Sequence, residues 1–106
     1  MNPEIKIIVA ELRKKLEKLY GGRIVRLVLF GSYARGEDVS GSDIDILVVL
    51  KGTVKAGEEI ARTGCITAEL SLEKNVVISC TFISEKRYNT EQSPLLINVR
   101  REGVIA

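Results

Sequence analysis

The chain has 106 residues, of which 45% are hydrophobic and 28% charged, a composition that fits one globular domain over residues 1–106. Its 16 basic and 14 acidic residues leave a net charge of +2, which argues against nucleic-acid binding through overall charge. It has no histidine, which excludes imidazole catalysis and imidazole metal ligands, so any bound metal should be a hard ion held by oxygen, Mg²⁺ or Mn²⁺.

An amphipathic helix is predicted for the start of the chain. Asn2 can cap it, and Pro3 suits its first position because the first helical turn leaves its N–H groups unpaired in any case. Gly21 and Gly22 should end it. The apolar residues recur at three- and four-residue spacing and predict one core-facing stripe: Ile5, Ile8, Val9, Leu12, Leu16 and Leu19.

A buried strand over Ile24–Phe30 is predicted to run directly into a glycine turn. Gly31 allows close backbone approach, and Ser32 offers a hydroxyl, so the turn suits a phosphate group. The alternative is a plain strand-to-helix turn that Ser32 caps. Arg35 either reaches a phosphate or ties the loop to a neighbouring carboxylate such as Glu37, within a helical turn that a glycine stops.

A second strand is predicted over residues 42–50, after a polar loop over residues 37–41. Asp43 and Asp45 share one face of this strand, about 6–7 Å apart along the backbone. Two carboxylates at that spacing can hold divalent metal, which would stabilise both in the ionised form. The alternative, a solvated strand end at which Asp43 caps the loop, explains Asp43 but not the pair.

The remaining segments complete an α+β pattern, an α/β sandwich with helices packed on a mixed sheet. After a loop over residues 51–57, a helix is predicted over residues 58–73, then a strand over 76–83, a helical region from 84 to 88 and a closing helix over 94–102. The predicted buried side of the middle helix consists of Ile60, Ala61, Cys65, Ala68 and Leu72.

Membrane insertion is not predicted, because no apolar run reaches the roughly 18 residues of a membrane span. The N-terminus has no signal-peptide pattern either, so we expect a cytoplasmic protein. Cys65 and Cys80 lack the spacing of metal ligands, and in that compartment we expect them to be reduced and buried.

The glycine turn and the carboxylate pair together form a specific motif. Gly31-Ser32, a spacer with Arg35-Gly36, and Asp43-Ile44-Asp45 resemble the nucleotidyltransferase superfamily typified by DNA polymerase beta, and most of all its minimal nucleotidyltransferases. The tail over residues 93–104 resembles that family as well. The resemblance implies the nucleotidyltransferase fold and the Mg²⁺-dependent transfer of a nucleoside monophosphate from a triphosphate, expected to be ATP, to an acceptor hydroxyl.

The resemblance also implies roles for individual residues. Asp43 and Asp45 would be the catalytic metal ligands, and Gly31, Ser32 and Arg35 would bind the triphosphate. The family usually has a third carboxylate on a following strand, but the matching segment, residues 76–83, contains neither Asp nor Glu. A third ligand would then come from a partner or from water.

Minimal nucleotidyltransferases of this kind pair with small helical HEPN proteins, as antitoxins that attach AMP to the toxin. The resemblance therefore implies a HEPN-type protein as partner and acceptor. The alternative hypothesis is an antitoxin subunit that binds nucleotide but acts by contact with its partner. A small-molecule nucleotidyltransferase of the aminoglycoside type is less favoured, because the chain has no second domain to enclose a sugar. A homodimer is compatible with the sequence.

Overall fold

The computed structural model describes residues 2–37 and 41–106; the central part of the predicted 37–41 loop lies outside them. Helix α1 (Pro3–Tyr20) leads through a short 3₁₀ turn (Gly21–Arg23) into strand β1 (Ile24–Phe30). The chain continues with β2 (Ile44–Leu50), α2 (Ala56–Lys74), β3 (Ile78–Ser84), α3 (Glu85–Thr90), α4 (Pro94–Glu102) and β4 (Val104–Ile105). All predicted helices and strands are confirmed, while the two-residue β4 was not predicted.

The four strands form a mixed sheet in the order β3-β2-β1-β4. β1 runs antiparallel to β2 and to β4, whereas β2 and β3 are parallel and in register from Ile44 opposite Ile78 to Leu50 opposite Ser84. The helices pack on this sheet, which confirms the predicted α+β class. β2 lies inside the sheet, and its last five residues, 46–50, are all fully buried.

Each face of the sheet has its own hydrophobic cluster. On one face, the alternate residues of β2 from Ile44 to Leu50 pack with α1 and α2. On the other, Leu47 and Val49 pack with Leu96 and Val99 of α4. Asp45 belongs to the second face by the same alternation, so it lies at the end of the sheet that α4 partly covers.

The predicted stripe of α1 is confirmed except at its last member. The Asn2 side chain accepts a hydrogen bond from the Glu4 N–H, and Gly21 ends the helix with a φ of 57°. Five stripe residues, from Ile5 to Leu16, are buried. Leu19 is 42% exposed instead, because Tyr20 occupies the last inward position of the helix.

The prediction of which side of α2 is buried is wrong. Glu59, Thr63 and Leu70 face the core, and Ile66 is packed against it. All five residues that we expected to be buried are exposed, with Leu72 at 85%. The helix therefore packs through the opposite side, which carries a carboxylate and a hydroxyl that find partners inside the protein.

The two cysteines are free thiols in different environments. Cys65 is exposed, which contradicts the expectation that it would be buried. Cys80 is only partly accessible, and burial raises the pKa of its thiol to about 12. Within residues 2–37 and 41–106, no helix is long and apolar enough to cross a membrane.

Candidate active site

The turn after β1 is built around the second aspartate. Gly31 has a φ of 78°, which favours glycine, and a Cβ added there would lie 2.4 Å from Oδ2 of Asp45. The β1–β2 register explains this closeness, because Phe30, the residue before Gly31, lies opposite Asp45. Glycine is therefore required for two reasons at once, backbone conformation and space.

The two aspartates differ in their surroundings. Asp43 lies just before β2 and is exposed, whereas Asp45 lies within the strand and is half-buried. Desolvation, and to a smaller degree the charge of Asp43, raise the pKa of the Asp45 carboxyl, while the charge of Arg35 lowers it. Within the described part of the chain, neither carboxylate has a hydrogen bond or a salt bridge.

Backbone hydrogen bonds shape the turn. The Arg35 N–H donates to the Gly31 carbonyl over 3.2 Å, and the Glu37 N–H donates to the Ser32 carbonyl over 2.9 Å. Residues 32–36 form the predicted helical turn, and Gly36 ends it with a φ of 75°. Ser32 is half-buried, and among residues 2–37 and 41–106 its hydroxyl has no partner, so it is available to a ligand.

Arg35 connects this turn to the C-terminal helix. Its guanidinium lies 3.2 Å from Glu37 and 3.5 Å from Glu102 of α4. Hydrogen bonding to Glu37 is the main cause that raises the pKa of Arg35 above its ordinary value. These ion pairs match the loop-tying alternative for Arg35, although the side chain also lies on the groove that leads to the turn.

Two grooves open beside the turn. One, of about 400 Å³, lies between Gly31 and α4, where it is lined by Asn98 and Glu102. The other, of about 570 Å³, lies on the opposite side, between Ser42 and the C-terminal end of α2. The sequence could not assign Asn98 and Glu102 to the site, because only the packing of α4 brings them to the turn.

The place of a third carboxylate is taken by a hydroxyl. Ser79 is the residue of β3 that lies directly opposite Asp45 in the parallel register, and it is exposed. In the part of the chain that the structure describes, no three acidic or other metal-binding side chains come together. The structure thus places Gly31, Ser32, Asp43 and Asp45 together and leaves the pair of carboxylates without a third.

The surroundings of Asp43 and Asp45 fit a divalent cation bound between the two carboxylates. Asp45 has its charge disfavoured by burial and by Asp43, and neither carboxylate is neutralised by direct contact with a cation of the described chain. A hard divalent ion takes oxygen ligands and would offset both effects. The donor set is all oxygen, the kind of ligand that Mg²⁺ takes.

Comparisons with known proteins show what the chain is similar to. Residues 9–102 match the family model described as a nucleotidyltransferase domain. Two proteins of Methanocaldococcus jannaschii, both named "Putative protein adenylyltransferase", are 40% and 35% identical to the chain. The first alignment covers 76% of this chain and 75% of the relative, and the second covers 72% and 76%.

Solved structures with the same fold are also found. A crystal structure described as a toxin–antitoxin with AMP-PNP has a TM-score of 0.62 at 25% identity, over 97% of this chain and 71% of the other. A mutant of the toxin–antitoxin MntA-HpeT has a TM-score of 0.56 at 25% identity, over 100% and 72% of the two chains.

Proposed function

The chain is a nucleotidyltransferase of the nucleotidyltransferase domain family, and from that premise we propose that it transfers AMP from ATP to a hydroxyl of a partner protein. The observation that supports the proposal most is the closeness of Gly31 to Oδ2 of Asp45, since the glycine-serine turn and the carboxylate pair are neighbours. Mg²⁺ is the ion that we assign to Asp43 and Asp45.

In the proposed reaction, the acceptor oxygen attacks the α-phosphorus of ATP. The bond between the α-phosphorus and the bridging oxygen breaks, pyrophosphate leaves, and the acceptor proton passes to solvent. Mg²⁺ would neutralise charge on the triphosphate and on the attacking oxygen. No covalent intermediate with the protein is needed, so the contribution of the chain is binding and orientation.

Each residue of the turn has a part in that orientation. The backbone N–H groups that follow Gly31 and the hydroxyl of Ser32 would donate to the terminal phosphates. Arg35 would hold the turn in place through Glu37 and Glu102. Asp43 and Asp45 lie at the start of β2, next to that turn, where they would hold the metal against the triphosphate.

The names of similar proteins support the proposal that the acceptor is a partner protein. The two relatives reported above are named "Putative protein adenylyltransferase", and the two solved structures reported above are described as toxin–antitoxin structures. We therefore propose a small helical protein of the HEPN type as partner and acceptor, with the chain acting as the antitoxin.

Calorimetry with a non-hydrolysable ATP analogue, with and without Mg²⁺, tests the site. We expect Mg²⁺-dependent binding that the Asp43→Asn, Asp45→Asn double variant loses. Glu69→Gln removes one carboxylate at an exposed position of α2 that lines neither groove, and as the control it should bind as the unchanged chain does. Absence of binding under both conditions would refute a working triphosphate site in this chain.

A second function, neutralisation of the partner by contact, is favoured by the uncharged Ser79 opposite Asp45. The same double variant separates the two functions. If chemistry is required, labelled AMP is transferred to the partner by the unchanged chain only, and the double variant no longer neutralises the partner. If contact is sufficient, the double variant binds and neutralises the partner as well as the unchanged chain.

A further inference from the structure

The open edge of the sheet at β3 is not used by the site described above. β3 stands at the end of the strand order and pairs only with β2 among the described residues. The Ile44 N–H donates to the Val77 carbonyl, so the odd-numbered residues of β3 direct their backbone groups toward β2. The even-numbered residues therefore direct theirs to the open side.

Most of these outward groups have no partner among residues 2–37 and 41–106. The outward N–H of Ile78 donates to the Ser71 hydroxyl over 3.3 Å, which fixes where α2 meets the edge. For Cys80 and Phe82, neither the N–H nor the carbonyl is hydrogen-bonded at the open side within the described chain. Four backbone groups are therefore presented in a row by a regular strand.

This edge lacks the features that normally prevent pairing. Natural edge strands are protected by charged residues, prolines or bulges. The segment from residue 75 to residue 84 contains no charged residue and no proline, and its seven pairs with β2 follow one another without a register shift. Val77, at the start of the edge, is 56% exposed.

The side of α2 above the edge carries one exposed apolar side chain among small, uncharged residues. Ile60 lies about three helical turns before Ser71 on the same side of α2, and it is 56% exposed. Gly64 lies on that side as well, and a Cβ added there would meet no atom within 4 Å. Glu59, which accepts from the Tyr20 hydroxyl of α1, lies about a quarter of a turn away on the buried side, and Lys74, the last residue of the helix, is paired with Glu11 of α1.

We propose that a second copy of this chain pairs with the edge of β3, antiparallel and about a two-fold axis at Thr81. This register pairs Cys80 of each copy with Phe82 of the other, which are the two residues with free outward groups. A two-fold axis perpendicular to the sheet keeps the α2 helices on one side, where the flanks that carry Ile60 meet.

A second copy fits this surface better than an unlike partner does. When two identical edges pair, each charge meets its own kind, and because the β3 edge has no charged residue the two copies do not repel each other there. An antiparallel pair also sets like side chains opposite each other, because residues opposite one another lie on one face. Ile78, Cys80 and Phe82 of both copies then form one continuous layer. The pair leaves both aspartate ends of the sheet open, at opposite ends of the joined strands.

Disulfide trapping tests the axis directly. In this register Thr81 lies opposite Thr81 of the second copy, as a non-hydrogen-bonded pair with Cα atoms about 4.5 Å apart, a distance that suits a disulfide. Thr81→Cys, made with Cys65→Ser, should give a covalent dimer on mild oxidation. Ser79→Cys is the matched control and should not, because its two copies would lie more than about 13 Å apart.

Sedimentation velocity over a concentration series tests the surface independently. The unchanged chain should sediment as a dimer, and Ile60→Lys should weaken the dimer by at least about tenfold. Ile7→Lys changes an equally exposed isoleucine of α1, at 58%, and should leave it intact. A monomer at all concentrations, or a dimer that resists both Ile60→Lys and cysteine trapping at position 81, would refute the proposal.

An unlike partner at the edge would give a different result. The chain would then stay monomeric, and the amides of Cys80 and Phe82 would become protected from hydrogen exchange only after the HEPN-type protein is added. That outcome would also overturn the second-copy assignment.

Discussion

At the scale of single residues, Gly31 carries the strictest requirement of the site. We predict that Gly31→Ala lowers the affinity for the Mg²⁺-bound ATP analogue by more than tenfold. A Cβ would displace Oδ2 of Asp45, which lies 2.4 Å from its position. The positive φ of 78° adds a stability cost of about 1–2 kcal/mol. Calorimetry measures the first effect and urea unfolding the second.

Gly36 provides the matched control for that variant. Its φ is 75°, but a Cβ there would meet nothing within 4 Å. Gly36→Ala should therefore show the stability cost without the large loss of affinity. Equal losses of affinity in the two variants would mean that backbone strain, and not the contact with Asp45, governs binding.

Asp45 is predicted to reduce the stability of the metal-free protein at neutral pH. Its pKa is raised from 3.8 by burial and by Asp43, so the folded state binds the proton more tightly than the unfolded state does. The contribution of Asp45 to the stability is therefore most favourable below the unfolded pKa and falls as pH rises through the folded pKa. Asp45→Asn should raise the melting temperature at pH 7 and have little effect near pH 3.

Adding Mg²⁺ tests whether the unneutralised charge of Asp45 causes the predicted change in melting temperature. Mg²⁺ should raise the melting temperature of the unchanged chain and leave that of Asp45→Asn unaltered, because only the carboxylate pair binds the ion. If Asp45→Asn were less stable than the unchanged chain at pH 7 without metal, the carboxylate would be contributing to the fold through a contact, and the prediction that Asp45 destabilises the metal-free protein would be wrong.

At the scale of elements, Glu59 joins α1 to α2. It is 3% exposed, accepts a 2.7 Å hydrogen bond from the Tyr20 hydroxyl, and lies 3.6 Å from Arg23 and 3.5 Å from Arg62. Burial is the main cause that raises the pKa of Tyr20, with Glu59 next. We predict that Glu59→Gln lowers the free energy of unfolding by about 2 kcal/mol, measured in urea.

The neighbouring carboxylate is the control for Glu59. Glu58 is exposed, and its ion pair with Lys55 spans 4.0 Å between two exposed side chains. Glu58→Gln should therefore change the free energy of unfolding by less than about 0.5 kcal/mol. Similar losses in the two variants would show that the charge of the first helical turn, rather than the buried contact, stabilises α2.

The elements whose sequence pattern allows a single interpretation were predicted with the correct first and last residues. β1 and α4 begin and end as expected, because glycine, serine and proline mark their ends. α2 was predicted in position but turned the wrong way, since two of its sides carry apolar or small residues and only the partners of Glu59 and Thr63 decide between them. β4 is too short to show a pattern.

At the scale of the whole molecule, the fold explains which parts of the site were predictable. The Gly31 turn and the Asp43–Asp45 pair belong to consecutive strands, so one stretch of sequence contains both. Glu102 and Ser79 reach the site only through the packing of α4 and the parallel register of β3. No local pattern marks them, because their positions depend on the order of the strands.

That strand order leads to a gain-of-function prediction at Ser79. Because Ser79 lies opposite Asp45 in the parallel register and is exposed, Ser79→Asp would add a third carboxylate on the same face of the sheet. We expect at least about tenfold tighter Mg²⁺ binding and faster AMP transfer, since metal affinity rises with the number of charged oxygen ligands. Ser79→Asn has nearly the same shape without the charge and should produce neither change. A third carboxylate that left transfer unchanged would mean that the site obtains its remaining ligand elsewhere, from the acceptor protein or from water, and that the missing carboxylate does not limit this enzyme.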